Sequence, residues 1–204
     1  VRCPLLPRHG TRVEDLTAGC YEEWLDAVRT EAAALRSRSR RLFVVGMSLG
    51  SLLVLRLAEE VVVAVDGVVA LSPALRAHRL LPLAILSRHV LRSDPQAPID
   101  DRVDPTTASR NWCYDRTPLW GAGEVWRLQR LVRRDLRAVH QPLLSVQGRH
   151  DRTVQPDSGA AVLRGVSSTD KALRWLERSG HNVLLDGEGE ALNAGIAAWI
   201  AARV

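Results

Sequence analysis

Lysine is almost missing from this chain of 204 residues: of its 28 cations, only Lys171 is not arginine. Those cations face 23 acidic residues, for a formal net charge of +5. A nucleic-acid binder gathers its charge in one patch interleaved with aromatics. Here arginine is scattered, and its two densest runs lie at residues 36–41 and 127–137. The first reads as a loop before a strand. The second alternates with Val125, Leu128, Val132, Leu136 and Val139, the spacing of an amphipathic helix with a wet face. No nucleic-acid partner is expected. Cysteine is scarce as well. Cys3, Cys20 and Cys113 make an odd count without metal-ligand spacing, which excludes a disulfide framework and suits the reduced thiols of a cytoplasmic protein. Long hydrophobic runs are also lacking. Residues 61–65 and 80–86 fall well short of the roughly 18 that a membrane span needs, and the opening Val1-Arg2-Cys3-Pro4 has no signal-peptide pattern.

What is present is the composition of an ordinary globular domain, 46% hydrophobic and 25% charged, which suits one domain over residues 1–204. Short apolar runs at residues 2–6, 42–46, 67–71, 142–147 and 172–176 read as strands. Between them, residues 21–36, 49–60, 157–164 and 186–202 carry helical spacing. Strands alternating with helices in this way imply an α/β fold with a mostly parallel sheet flanked by helices. The rhythm breaks between residues 73 and 140, where no strand is expected. A helical run near 76–91, a Pro- and Asp-rich loop and a helix over 123–139 read there as a small helical cap insertion.

Gly46-Met47-Ser48-Leu49-Gly50 joins an apolar strand to an apolar helix. That is the setting of a nucleophile elbow, a sharp turn that lifts a serine hydroxyl above the sheet. Both glycines are expected to keep the turn free of Cβ clashes, and the Leu49 amide can then face a developing oxyanion. A serine needs a base oriented by an acid. Asp151 follows the 142–147 strand, and His181 is the only histidine downstream of it, just after the 172–176 strand. Ser48, Asp151 and His181 thus all fall at the carboxyl ends of strands, where open α/β sheets place their ligands.

These motifs resemble the α/β-hydrolase superfamily, and within it the small bacterial carboxylesterases and monoacylglycerol lipases. Residues 6–10, 65–74, 114–119, 147–156 and 179–186 are similar to family segments, so the resemblance spans nearly the whole chain. It implies Ser48 as nucleophile, His181 as general base, Asp151 as orienting acid and the Leu49 amide as one oxyanion donor. The family's second donor comes from a His-Gly loop after an earlier strand, and His9-Gly10 is not that loop. N-terminal strands of the family, including one expected between residues 2–6 and 42–46, are therefore expected to be missing, with the second donor upstream of Val1. The loss of one oxyanion donor costs about 10²–10³ in turnover.

The implied function is hydrolysis of short or medium acyl esters or monoacylglycerols through an acyl-enzyme on Ser48, with no cofactor and no metal. The substrate is a small-molecule ester, and the oligomeric state is not legible. Met47, Trp112, Tyr114, Leu119 and Trp120 are candidates for the acyl pocket. His9 and His150 read as structural, His78, His89 and His140 as surface or cap residues, and Asp186 as the cap of the last helix. Asp100, Asp101 and Asp104 read as solvated loop residues, because no second cluster completes a metal site. The runner-up reading is a truncated, catalytically impaired hydrolase fragment that at most binds a partner.

Overall fold

Six strands pair among the residues described by the structure, a computed structural model that covers 1–76, 93–94, 101–110, 114–115 and 117–204. They are β1 (Phe43–Met47), β2 (Gly67–Leu71), β3 (Ser93–Asp94), β4 (Thr117–Pro118), β5 (Leu143–Gly148) and β6 (Lys171–Leu176). The main sheet has the order β1-β2-β5-β6, and every pair in it is parallel. Val45, Val69, Leu144 and Ala172 lie side by side across it. Five helices are described: α1 (Tyr21–Arg36), α2 (Leu49–Glu60), α3 (Leu119–Asp135), α4 (Ser158–Gly165) and α5 (Gly189–Ala201).

Side chains alternate across the pleat and divide the core in two. Val68 and Leu143 face one side, packed with Trp24 of α1, Leu52, Leu53 and Leu57 of α2, Leu128 and Val132 of α3, and Val162 of α4. Val69, Leu71, Leu144 and Val146 face the other, against Leu192 and Ile196 of α5. Helices on both faces are what a parallel sheet requires, and β2 is accordingly buried throughout. The helix expected over 123–139 begins earlier, directly after Pro118, and tightens to a 3-10 turn over Leu136–Ala138. A proline costs nothing at a helix start, where its missing N–H has no intrahelical partner. Arg127, Arg130, Arg133 and Arg134 lie on the exposed side of α3, as the spacing implied.

Three expectations change. Residues 2–6 form no strand. They run along an apolar cleft of about 260 Å³ that separates them from β1, which ends the sheet. A strand exists only through a ladder partner, and across the cleft there is none within reach. Between residues 73 and 140, β3 and β4 form a two-residue antiparallel ladder where none was expected. The run near 76–91 lies outside the described residues beyond Arg76. Third, α5 starts at Gly189 rather than at 186, and Asp186 is not its cap. That carboxylate bonds elsewhere, as described below.

Candidate active site

The turn after β1 is held by backbone geometry. Ser48 has φ +52° and ψ −115°, a conformation that costs a side-chain-bearing residue energy and persists only where its surroundings impose it. Its amide donates to the Leu71 carbonyl at 2.9 Å, which pins the turn to the end of β2. Gly46 is required: a Cβ there would run into the backbone of Gly50 and Ser51. Gly50 is not, because a Cβ at that position meets nothing within 4 Å. Of the two glycines expected to keep the turn open, one does so. Leu49 is the first residue of α2, where helix geometry leaves amides without intrahelical acceptors.

The structure brings Ser48, His181 and Asp151 together. His181 Nε2 lies 2.9 Å from Ser48 Oγ, and Nδ1 lies 2.9 Å from Asp151 Oδ2. With its proton on Nδ1 donated to the carboxylate, the imidazole has Nε2 left to accept from the serine hydroxyl. Asp151 is buried and its acceptor capacity is filled. Gln147 Nε2 donates to Oδ2 at 2.7 Å, and the Thr153 and Val154 amides donate to Oδ1 at 3.0 Å each. An ionised carboxylate so held can stabilise an imidazolium without moving.

Four supporting residues escaped the sequence reading. Gln147, buried in β5, also accepts from the Gly159 amide through its Oε1 at 3.2 Å, so its amide is fixed at both ends. A long polar side chain in a buried strand, beside the smaller Ser145, was the available signal. Ser72, at φ +39°, donates its hydroxyl to the His181 carbonyl at 2.7 Å. Asp101 accepts from the His181 amide through Oδ1 at 2.9 Å and from the Arg152 amide through Oδ2 at 2.7 Å. It is half-buried, so the solvated-loop reading is corrected for this residue; Asp100 lies outside the described residues. Asp186 is buried and accepts from the amides of Val103, Asp104, Gly180 and Gly187 at 2.8–3.2 Å. Burial alone would raise its carboxyl, but these amides outweigh burial and hold it below its ordinary value. Asp101 carried no local signal, because its partners lie 51 and 80 residues away, and the Asp186 carboxylate adds two amides more than 80 residues away to those of Gly180 and Gly187 in its own loop.

The acyl-pocket candidates are less concentrated. Met47 is partly buried against the α5-side core. Leu119 is buried and Trp120 is 37% exposed at the start of α3, and Tyr114 is half-buried. Trp112 lies outside the described residues. His150 Nε2 lies 3.1 Å from the Glu177 carbonyl, and the His9 ring packs edge-on against Trp24 with centroids 5.3 Å apart. Among the described residues no group of three His, Cys, Asp or Glu could hold a metal, and no helix is long and apolar enough to cross a membrane.

Comparison with known proteins points in one direction. The model of the serine aminopeptidase, S33, family matches residues 21–188. A thermostable monoacylglycerol lipase of Bacillus sp. (strain H-257) is 27% identical over 192 residues, covering 90% of this chain and 72% of the relative. A carboxylesterase of Bacillus subtilis (strain 168) is 24% identical over 195 residues, covering 93% and 76%. Among solved structures, one from work on the metagenome-derived lipolytic enzymes LipS and LipT superposes with a TM-score of 0.90 at 26% identity. That match covers 97% of this chain and 80% of the other. The monoacylglycerol lipase of Paleococcus ferrophilus gives a TM-score of 0.76 at 21% identity, covering 91% and 77%. The parallel sheet flanked by helices is the α/β-hydrolase fold.

Proposed function

Since the chain belongs to the serine aminopeptidase S33 family of α/β-hydrolases, we propose that it is a serine hydrolase of small carboxylic esters, of short or medium acyl chain or monoacylglycerols. The observation that carries this reading is the unbroken path Ser48 Oγ to His181 Nε2 and His181 Nδ1 to Asp151 Oδ2, each step 2.9 Å. Ser48 Oγ attacks the ester carbonyl as its proton passes to His181 Nε2. The oxyanion that forms is met by the Leu49 amide. His181 then gives its proton to the leaving alcohol, and an acyl group remains on Ser48. A water molecule, deprotonated by His181, attacks that acyl group and returns the free acid and the serine. Met47, Tyr114, Leu119 and Trp120 are assigned to the acyl chain, the exposed indole of Trp120 being the most available of them.

A fluorophosphonate probe tests the nucleophile: it is expected to label the wild type and not S48A, and an unlabelled folded wild type overturns the assignment. Removal of the serine is expected to lower ester turnover by about 10⁴ or more. The family's description favours a second reading, cleavage of an aminoacyl amide. Nitrophenyl esters of graded acyl length beside aminoacyl nitroanilides separate the two, since the fold leaves the bond open. Faster turnover of the anilides would replace the ester reading.

A further inference from the structure

The histidine loop and the acid loop are tied together by a carboxylate that belongs to neither. Asp101 arrives from the segment between β2 and β5, about 50 residues before Asp151 and 80 before His181. Its Oδ1 takes the backbone N–H of the base, and its Oδ2 takes the N–H of Arg152, next to the acid. The Asp101 backbone is wedged against the same loop, because a Cβ on Gly180 would run into the Asp101 carbonyl. Asp186 latches the same junction, joining Val103 and Asp104 to Gly180. On the far side of the His181 Cα, the His181 carbonyl accepts from the Ser72 hydroxyl.

We propose that Asp101 is a positioning residue: it sets the distance between the His181 and Asp151 loops and couples the segment between β2 and β5 to the base. This rests on the assignment of Ser48, His181 and Asp151 as the triad. A charged acceptor bonded to two amides fixes both loops at once, and a small misplacement of a catalytic base is expensive.

The test uses D101A and D101N of the full chain, with D170A as a control that removes only the surface pair of Asp170 with Arg203. In D101A, kcat is expected to fall about 10- to 100-fold with KM within about twofold. Hydrogen exchange at the His181 and Arg152 amides should speed up by about tenfold or more. D101N keeps one acceptor oxygen for His181, so most of kcat should return, with faster exchange confined to Arg152. D170A should leave kcat and both amides unchanged. The proposal is overturned if D101A keeps kcat within about twofold and both amides exchange as in wild type. Should D101A fail to fold, D101N decides. Unchanged exchange at Arg152, or a large loss of kcat with His181 still protected, overturns the proposal. A wild type that resists the fluorophosphonate sinks the triad assignment, whereas amide exchange still reads the latch.

Discussion

The Ser48 turn and the His181 loop deliver two atoms to within 2.9 Å of each other by different means. Ser48 is held by sterics over five consecutive residues: a positive φ, a Gly46 that leaves no room for a side chain, and the start of a helix. The His181 loop makes its own short turns and is gripped as well by two side chains from far away, Ser72 and Asp101, while Asp186, five residues on, ties it to Val103 and Asp104. A turn held by its own backbone is insensitive to distant substitution. A loop held in part from a distance is open to it, and through Asp186 also to acid.

The largest effect should come from breaking the turn. Gly46→Ala forces a Cβ into the Gly50 backbone, so loss of fluorophosphonate labelling is expected, with destabilisation of about 3 kcal/mol or more in denaturant melts. An active, stable G46A would mean the turn is less constrained than its geometry implies.

Next is the loop. Asp186→Ala leaves four backbone amides without their acceptor and should cost about 2–4 kcal/mol, with lowered kcat. The pH dependence gives its sign. The Asp186 carboxyl is held below its ordinary value in the folded protein, so its contribution is full above that value and is lost as pH falls through the folded one. Urea melts over the acid range should show a shallower loss of stability in D186N than in wild type. Equal slopes would deny Asp186 this role.

An effect of similar size but opposite direction lies at the far end of α2. Burial pushes the Glu59 carboxyl up from 4.5 to about 8, against the opposing pull of Arg56, which also pairs with Glu60 and Asp135 at 2.8 Å each. A raised folded value means the contribution is present below 4.5 and declines as pH rises through 8. Glu59→Gln should remove a decline on the order of a few kcal/mol between mildly acidic and mildly alkaline melts. The same decline in E59Q would place its source elsewhere. The smallest effect sharpens the glycine contrast. Gly50→Ala should be neutral or stabilise by about 0.5–1 kcal/mol, since a Cβ there meets nothing and alanine is the better helix former. Destabilisation beyond about 1 kcal/mol would show that both glycines are required.

The contrast between the two regions also marks what could be read from residue order. The 49–60 helix, the 67–71 strand and the shift of a residue or so at 43–47 show how well short apolar periods announce elements buried in one sheet. Ser48, Asp151 and His181 were legible because each sits just past a strand of that sheet. Residues 2–6 were misread because apolar character does not supply a ladder partner. Asp186 was misread for the opposite reason. It does lie just before a helix, yet the amides of Val103 and Asp104, its neighbours only on folding, and those of Gly180 and Gly187 in its own loop compete for the same oxygens and win.

By itself, the order of residues determined the local chemistry: a serine on a turn that only a glycine at 46 allows, and an aspartate and a histidine after later strands of a parallel sheet. Such features depend on neighbours within a few positions, where sterics and period act directly. Only the tertiary structure decided what holds the His181 backbone. The Asp101 carboxylate reaches its two amides across 51 and 80 residues, and a contact of that span has no period and no motif. It exists because folding brings three loops together at the carboxyl end of the sheet, where one carboxylate meets both amides.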